Sequence, residues 1–263
     1  MKLEIAELQA GYGNGTTVIE DINLKVAEGE IVTLIGANGS GKSTILKTIG
    51  RLLKPVAGGV YLDGREVHAW KTGTLARKLA VLPQVNVAPD DLTVQDLVEY
   101  GRYPYRRRFH GLSEHDHYMV DRALRLTHLE TFRERLLTTL SGGECQRAWI
   151  AMTLAQEPKI LLLDEPTTFL DVCHQLEIIE LITRMNRDLG LTIIMVLHDL
   201  NLAARCSHRL VAIKDKHIYR VGTSTEVMTV PILKELFNIN AKIVMGDDGI
   251  PFFIPLGSCS VPT

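Results

Sequence analysis

The stretch from Gly36 to Thr44, which reads Gly-Ala-Asn-Gly-Ser-Gly-Lys-Ser-Thr, constrains the fold more than any other part of the chain. It follows the apolar run 31–35, which is typical of a strand, and it opens a helical pattern over residues 44–50. Between a strand and a helix, this glycine-rich pattern binds the phosphates of a nucleotide. The helix start presents unpaired N–H groups and a partial positive charge, and glycines let the backbone close around an anion.

The motif therefore predicts a site for a nucleoside triphosphate. In this interpretation the loop 36–41 cradles the β-phosphate, Lys42 reaches the β- and γ-phosphates, and Ser43 ligates Mg²⁺. An ordinary glycine turn before a helix is the alternative, and the Lys-Ser pair with its flanking patterns argues against it. The residues assigned to the nucleotide are Gly36, Asn38, Gly39, Ser40, Gly41, Lys42, Ser43 and Thr44.

Composition excludes several other classes of protein. The 263 residues suffice for one large domain or two small ones, and the net charge of −2 provides no basic field for nucleic acid. The four cysteines are scattered, which predicts neither a zinc site nor a disulfide framework and fits a reducing cytoplasm. Because no apolar run approaches the roughly 18 to 20 residues of a membrane span, we expect a chain that does not cross the membrane. The N-terminus also lacks the pattern of an export signal.

Two further apolar runs end in polar residues. The run 159–166 reads as a central strand of a parallel sheet and ends in Asp164 and Glu165. Ligands bind at the carboxyl ends of such strands, so Asp164 suits Mg²⁺ binding through water and Glu165 suits a base that polarises water. The run 191–197 delivers His198, which we interpret as a contact to the γ-phosphate or to water. A solvated strand end and a strand cap are the respective alternatives.

A second turn of small residues precedes a helical pattern. Residues 140–147 read Leu-Ser-Gly-Gly-Glu-Cys-Gln-Arg, and the helix is predicted over 144–156. This is a second potential anion site at a helix start. Taken alone, the stretch reads better as a routine capped helix, since Ser141 is a good N-cap and Glu144 follows three residues later. Tyr12 could stack on a purine, although a turn tyrosine with its ring on the surface is favoured when the residue is taken alone.

Outside these stretches the patterns predict ordinary elements. Thr93 and the Ser113/Asp116 capping box are predicted to start helices. The basic-aromatic run from Arg102 to Phe109 could contact nucleic acid or membrane headgroups, but a solvated loop at a partner interface is favoured because the net charge is nearly neutral. The other predicted strands are 2–9, 17–27, 60–64, 79–84, 210–213 and 217–221, the other predicted helices are 171–190 and 225–237, and turns or loops are predicted at 11–15 and 54–59.

Together these stretches resemble the nucleotide-binding subunit of an ABC transporter. The resemblance covers residues 3–242 and rests on the phosphate loop, Gln84, the stretch 140–146, the strand 160–165, the turn 169–171 and His198. Its most specific part is Leu-Ser-Gly-Gly shortly before Leu-Leu-Leu-Asp-Glu-Pro. The resemblance implies an α/β fold of the P-loop NTPase class, with a RecA-like parallel-sheet core, an N-terminal antiparallel β subdomain and an inserted helical subdomain.

The resemblance also implies a division of the chain. Residues 1–263 would form a single ATP-binding domain. Its nucleotide-binding core would comprise 1–84 and 156–221, its helical subdomain 85–155 and its C-terminal appendage 222–263.

Residue roles follow from the same resemblance. Tyr12 would stack on adenine, and Gln84 would reach Mg²⁺ and the attacking water and connect the site to a transmembrane partner. Two ATP molecules would be sandwiched in a head-to-tail homodimer, where Ser141, Gly142, Gly143 and Glu144 of one copy face the nucleotide held by the other. Glu165 would activate water, Lys42 and Mg²⁺ would offset charge, and His198 would sense the γ-phosphate.

A finer resemblance points to importers. The stretches 101–104, 146–152 and 167–177 are similar to ATPases of iron–siderophore, haem and cobalamin importers, and ferric siderophore uptake is favoured. This implies permease subunits, a solute-binding protein and a peripheral place on the cytoplasmic face of the membrane. A soluble ABC protein acting on ribosomes or DNA is the alternative of another class, and a small-molecule kinase would not explain 140–146. The chain departs from the family at Glu144, where glutamine is usual, and at Cys145, where a basic residue is common.

Overall fold

The computed structural model describes residues 1–13, 16–106 and 110–259. Contacts divide the chain into two compact units. The terminal unit combines Met1–Val67 with the chain from Thr192 onward, and the central unit is His68–Leu191. The subdomain boundaries expected from the sequence stay a prediction.

The described residues form strands, helices and short 3-10 turns in an alternating order. The strands are β1 (Leu3–Tyr12), β2 (Thr16–Val26), β3 (Ile31–Ile35), β4 (Ala57–Leu62), β5 (Arg65–Glu66), β6 (Leu79–Leu82), β7 (Ile160–Asp164), β8 (Thr192–Val196), β9 (Arg209–Lys214), β10 (His217–Gly222), β11 (Ile239–Met245) and β12 (Pro251–Ser258). The helices are α1 (Lys42–Ile49), α2 (Thr72–Ala76), α3 (Val94–Tyr100), α4 (Glu114–Leu126), α5 (Gly142–Ala155), α6 (Val172–Leu189), α7 (Leu200–Cys206), α8 (Ser224–Val227) and α9 (Val230–Phe237). The 3-10 turns are Val67–Ala69, Tyr103–Tyr105, Glu130–Phe132 and Leu137–Thr139.

An antiparallel sheet of the terminal unit has the strand order β2-β1-β4-β5. Along β1, buried apolar residues alternate with more exposed ones, as one-sided sheets require. The predicted turn at 11–15 is partly wrong, because β1 runs on to Tyr12; Asn14 and Gly15 lie outside the described residues. The predicted loop at 54–59 is also too long, because β4 begins at Ala57.

The parallel strands of the terminal unit place two predicted site elements on one edge. Strand β3 pairs in parallel with β8 and with β9, and every residue of β3 and β8 is buried. Leu34 lies opposite Val196, so both strands end at the same level. The phosphate loop follows β3 directly and His198 follows β8 by two residues, so both lie at the carboxyl edge of this pair.

The central unit also contains two parallel strands that end next to predicted site residues. Strand β6 pairs in parallel with β7, with Leu82 opposite Leu163. Gln84 follows β6, and Asp164 and Glu165 end β7, so these side chains share one carboxyl edge. Helices α3 and α4 pack against α5. The predicted capping box at Ser113 is confirmed, and Thr93 caps α3 as predicted.

The C-terminal region differs from the sequence-based prediction. The single helix predicted over 225–237 is wrong, because α8 ends at Val227 and α9 begins at Val230 with a proline in its first turn. Helix α7 and the antiparallel pair β11–β12 were not predicted. Among the described residues, no helix is both long and apolar enough to span a membrane.

Arg102 is a buried clamp of the central unit rather than part of a solvated loop. Its Nε donates to Asp116 Oδ1 at 2.8 Å, and its Nη1 donates to Glu157 Oε2 at 2.7 Å and to the Ala155 carbonyl at 2.6 Å. The side chain is 0% exposed, which corrects the prediction for the start of the basic-aromatic run. Arg106 is exposed, as predicted for that run. The residues of the run that lie outside the described part are Arg107, Arg108 and Phe109.

We expect the stability of the protein to fall at acid pH as Asp116 becomes protonated. Burial favours its neutral form, but hydrogen bonds from Ser113 and Arg102 outweigh this and lower the pKa of Asp116 to about 2. Because the folded pKa lies below the unfolded value of about 3.9, the ionised carboxylate stabilises the fold above pH ~4. That contribution is lost as the pH falls towards the folded pKa.

We therefore expect Asp116→Asn to lower the free energy of unfolding at pH 7 by about 3 kcal/mol, because it removes one of the two carboxylates that pair with a buried guanidinium. It should also flatten the fall in stability below pH ~4. Urea unfolding at several pH values measures both effects. Asp121→Asn on the same helix is the control, since its pair with Arg133 is partly exposed and should cost less than about 1 kcal/mol. Equal losses in the free energy of unfolding for both variants would contradict the role of Asp116 as a buried partner of Arg102.

Candidate functional site

The phosphate loop of the terminal unit is shaped by glycines in backbone conformations that other residues avoid. Gly36 has φ 151° and Gly41, which caps α1, has φ 105°. A Cβ on Gly36 would lie 2.3 Å from the Ile213 carbonyl oxygen and 2.9 Å from Ser40 Oγ. No side chain could therefore replace this glycine without moving the loop away from β9, and the concave backbone needs glycine here.

Lys42 places its positive charge inside this loop. The side chain is only 5% exposed, and its Nζ donates to the carbonyl oxygens of Gly36 at 2.8 Å and Ala37 at 2.9 Å. Ser40 Oγ is buried and has no hydrogen-bond partner among the described residues. A buried ammonium, an unsatisfied hydroxyl and the N-terminus of α1 are the groups that a phosphate would satisfy. The loop thus fits the triphosphate predicted from its sequence.

The other predicted residues of the terminal unit lie around the same loop. Asn38 and Gly39 are exposed, Ser43 is half-buried in the first turn of α1, and Thr44 is buried. His198 is exposed at the carboxyl edge described above.

Tyr12 is 47% exposed, and the ammonium of Lys47 on α1 lies 5.8 Å from its ring centroid. The ring is held beside the helix of the loop and is accessible for stacking.

In the central unit, Glu165 is held as an oriented carboxylate. Gln84 Nε2 donates to its Oε2 at 2.5 Å, and Thr168 Oγ1 donates to the same oxygen at 3.0 Å. Glu165 also has φ 54°, which is uncommon for a residue with a side chain. Such strained backbone is concentrated at functional sites, where the surroundings enforce it. The structure thus brings together Gln84 and Glu165, which lie 81 residues apart in the sequence.

The predicted metal ligands have the chemistry that Mg²⁺ requires. Asp164 is the buried last residue of β7 and adjoins Glu165. Ser43 offers a hydroxyl in the terminal unit, and Gln84 offers an amide oxygen in the central unit. Hydroxyl, carboxylate and amide oxygens are the hard donors that Mg²⁺ prefers. The donor set therefore fits the expected ion.

The start of α5 is capped as predicted from the sequence. Ser141 N–H donates to Glu144 Oε2 at 2.7 Å, and Glu144 N–H donates to Ser141 Oγ at 3.3 Å, so the capping box is present. These bonds lower the pKa of Glu144 and keep it ionised near neutral pH. Ser141 and Gly142 are exposed, whereas Gly143 is buried. The nucleotide contacts assigned to this turn stay a prediction.

His174 of α6 packs directly on the α5 start. A Cβ on Gly143 would lie 2.2 Å from its Cδ2, so only glycine allows this contact. The Nδ1 of His174 lies 2.9 Å from Asp171 Oδ2, which fixes the ring over Gly143. A Cβ on Gly142 would meet only Leu170 Cδ2 at 3.4 Å. Gly143 is therefore needed for the packing of His174, as well as for any approach of a ligand to this helix start.

We expect Gly143→Ala to lower the free energy of unfolding by about 1–3 kcal/mol, because the added methyl group overpacks the contact with His174. Gly142→Ala is the matched control, and its methyl group meets only an ordinary contact, so its cost should be smaller. Thermal or urea unfolding compares the two variants. A Gly142→Ala variant that is as unstable as Gly143→Ala would contradict the packing role.

Cys145, where the chain departs from the family pattern, is a half-buried thiol. Burial raises the pKa of its thiol, although a hydrogen bond with Trp149 opposes this shift. The neutral thiol therefore predominates at pH 7, and it is a poor nucleophile. The next basic residue of α5, Arg147, donates to Glu177 Oε2 at 2.9 Å and is engaged within the unit.

Sequence reasoning missed three polar residues that touch predicted site elements. Thr168 orients Glu165, His174 covers Gly143, and Asn201 anchors the helix that follows His198. The position of Thr168, three residues after Glu165 in a turn, was the one available local signal. The contact of His174 with Gly143 and the hydrogen bonds of Asn201 with Phe253 join residues that are distant in the sequence.

Comparisons with known proteins agree with this geometry. The profile of the family described as "ABC transporter" matches residues 19–168. The chain is similar to the iron(3+)-hydroxamate import ATP-binding protein FhuC of Bacillus subtilis, with 49% identity over 92% of this chain and 90% of the relative. It is also similar to the ferric enterobactin transport ATP-binding protein FepC of Escherichia coli, with 39% identity over 100% and 97%. A dimeric structure of the bacterial ABC transporter cassette MJ0796 matches with a TM-score of 0.73 and 31% identity over 84% and 98%.

Proposed function

The chain belongs to the ABC transporter family, and from this premise we propose that it is the ATP-hydrolysing subunit of an importer for ferric siderophores. The predictions of the family, of the P-loop NTPase fold and of an ATPase are confirmed by the matches. The proposal adds the imported solute, the partner subunits and the role of each site residue. The observation that carries it is the Glu165 carboxylate, held by Gln84 and Thr168 at the end of a buried strand.

Hydrolysis by these residues is positioning combined with electrostatic stabilisation. The loop 36–44 holds the phosphates, and Lys42 offsets the charge that develops on the β- and γ-phosphates. Glu165 accepts a hydrogen bond from the attacking water and polarises it, while His198 contacts the γ-phosphate. Bound Mg²⁺, held by Ser43, Gln84 and, through water, Asp164, would neutralise negative charge on the phosphate oxygens.

Completion of the site by a second copy is the next part of the proposal. Cassettes of this family form dimers, as the MJ0796 structure illustrates. We place Ser141 and Gly143 of one copy on the γ-phosphate of the ATP held by the other. ATP then binds the closed dimer more tightly than the open one and shifts the population towards closure. Hydrolysis removes this preference and reopens the dimer.

The identity of the solute rests on kinship. The relatives named for hydroxamate and enterobactin siderophores cover almost the whole of this chain. Haem and cobalamin importers remain the alternatives within the same class. In this proposal the chain is peripheral on the cytoplasmic face of the membrane, binds permease subunits, acts indirectly with a solute-binding protein and does not bind nucleic acid.

Reconstitution tests the proposal. The chain is expressed with the permease that co-purifies with it, and the complex is placed in vesicles with its binding protein. We expect ATP-dependent uptake of a ferric siderophore, with no uptake by a complex carrying Glu165→Gln. Uptake of haem or cobalamin alone would correct the solute, and co-purification with ribosomes or DNA instead of a permease would reject the transporter.

We expect Arg106→Glu to lower coupled transport by about 10-fold or more, because the exposed part of the basic run is proposed to face the permease and the change reverses its charge. Basal ATP hydrolysis by the chain alone should stay within twofold. Arg125→Glu, at an exposed position of α4, is the control and should change neither rate. Intact transport by Arg106→Glu would refute the placement of this run at the permease.

A further inference from the structure

Strand β12 of the C-terminal pair β11–β12 packs against α7, and β11 packs against α9. Asn201 of α7 makes side-chain hydrogen bonds to β12. Its Oδ1 accepts the Phe253 N–H at 2.8 Å, and its Nδ2 donates to the Phe253 carbonyl oxygen at 3.2 Å. The amide of Asn201 thus makes with β12 the two bonds that a neighbouring strand would make. This hairpin lies outside the residues 19–168 that the family profile matches.

Asn201 lies in the first turn of α7, three residues after His198. Asp199 caps this helix, and its Oδ1 accepts the N–H groups of Asn201 at 2.8 Å and Leu202 at 2.9 Å. Leu202 and Ala203 are buried against the unit, so the helix start is fixed from one side by apolar packing. The hydrogen bonds between Asn201 and Phe253 also hold this helix start. His198 itself is exposed and lies directly before Asp199, the cap of this helix.

Neither element is stable alone. A two-stranded hairpin is marginal in water, and a helix of seven residues is too short to form without tertiary contacts. Each must therefore be ordered by its neighbours, and the Asn201–Phe253 pair is part of that order. A loss of this pair loosens the first turn of α7, which is preceded by its cap Asp199 and then by His198.

We propose that Asn201 is a positioning residue that couples the C-terminal hairpin to His198 and thereby to ATP hydrolysis. This inference rests on the proposed contact of His198 with the γ-phosphate. It assigns a role to the C-terminal region, for which the sequence carries no chemistry. A partner that holds or displaces the hairpin would change the rate of hydrolysis through the same residue.

The first arm of the test compares two asparagines in the full-length chain. Asn201→Ala should lower kcat for ATP about 10-fold and leave KM within twofold, because it disturbs the group at the γ-phosphate and not the loop that binds ATP. Asn240→Ala, an exposed position on β11, is the matched control and should leave kcat unchanged. Amide hydrogen exchange at Phe253 should accelerate only in Asn201→Ala. An unchanged kcat in Asn201→Ala would overturn the proposal.

The second arm is a double-mutant cycle with His198→Ala. If Asn201 acts through His198, adding Asn201→Ala to His198→Ala should change kcat less than twofold. A further 10-fold loss would show an independent or purely structural effect and overturn the inference. A normal kcat in His198→Ala would instead reject the proposed role of His198. Asn201→Asp, which keeps the acceptor for the Phe253 N–H but loses the donor, covers the case in which Asn201→Ala folds poorly, and the same cycle applies to it.

Discussion

Replacing Glu165 by Gln should lower the rate of ATP hydrolysis by about 1,000-fold, roughly 4 kcal/mol in the barrier, while ATP binding is retained. The variant has almost the same shape and keeps an oxygen that can accept from Gln84 or Thr168. It loses the negative charge and the basicity that polarise the attacking water. The substitution leaves the residues of the phosphate loop unchanged.

Phosphate release under saturating ATP measures this effect, and equilibrium binding of ATP measures what is retained. Glu180→Gln, at an exposed position of α6, is the matched control and should hydrolyse ATP at the normal rate. A Glu165→Gln variant that turns over ATP normally would show that Glu165 is not the base.

Replacing Lys42 by Ala should weaken ATP binding by about 100-fold, which is about 2.7 kcal/mol, or abolish turnover. The ammonium lies inside the loop at 2.8 Å from the Gly36 carbonyl oxygen, where solvent screening is weak because the side chain is buried. Alanine removes the charge and leaves the carbonyl oxygens of Gly36 and Ala37 without the ammonium that donates to them.

Titration with ATP, followed by steady-state hydrolysis, measures both quantities. Lys54→Ala, at an exposed lysine in the loop after α1, should have no effect on either. Thermal unfolding without nucleotide separates a damaged loop from a lost phosphate contact. Normal affinity and normal turnover in Lys42→Ala would reject the assignment of the loop.

Local signals in the sequence predicted the elements that position the site. The run 31–35 and the phosphate loop specified β3 and the start of α1, since burial on both faces and a glycine turn are encoded within a few residues. The capping boxes at Ser113 and Ser141 were equally local, because a side chain and the N–H three residues later suffice to form them. The parallel strands were predicted from continuous apolar runs.

What the sequence did not predict depends on contacts between distant residues. The partners that allow Arg102 to be buried are Asp116 and Glu157, which lie 14 and 55 residues away in the sequence. No local pattern indicates such partners. Glu165 was assigned as a base, but its positive φ and its bond to Gln84 emerge only when β6 and β7 pair. The composition of residues 225–237 resembles that of one continuous helix. The chain nevertheless forms two helices, because α9 begins anew after the N-cap Thr229 with a proline in its first turn.

The central claim is that one chain supplies only half of each ATP site. The Glu165→Gln chain, mixed with ATP and Mg²⁺, should sediment as a particle of two chains that retains two ATP molecules. Adding Ser141→Arg to the same chain should return it to a monomer that still binds one ATP through its own loop. A Glu165→Gln chain that binds ATP and remains a monomer, or a dimer that Ser141→Arg does not disturb, would contradict the claim.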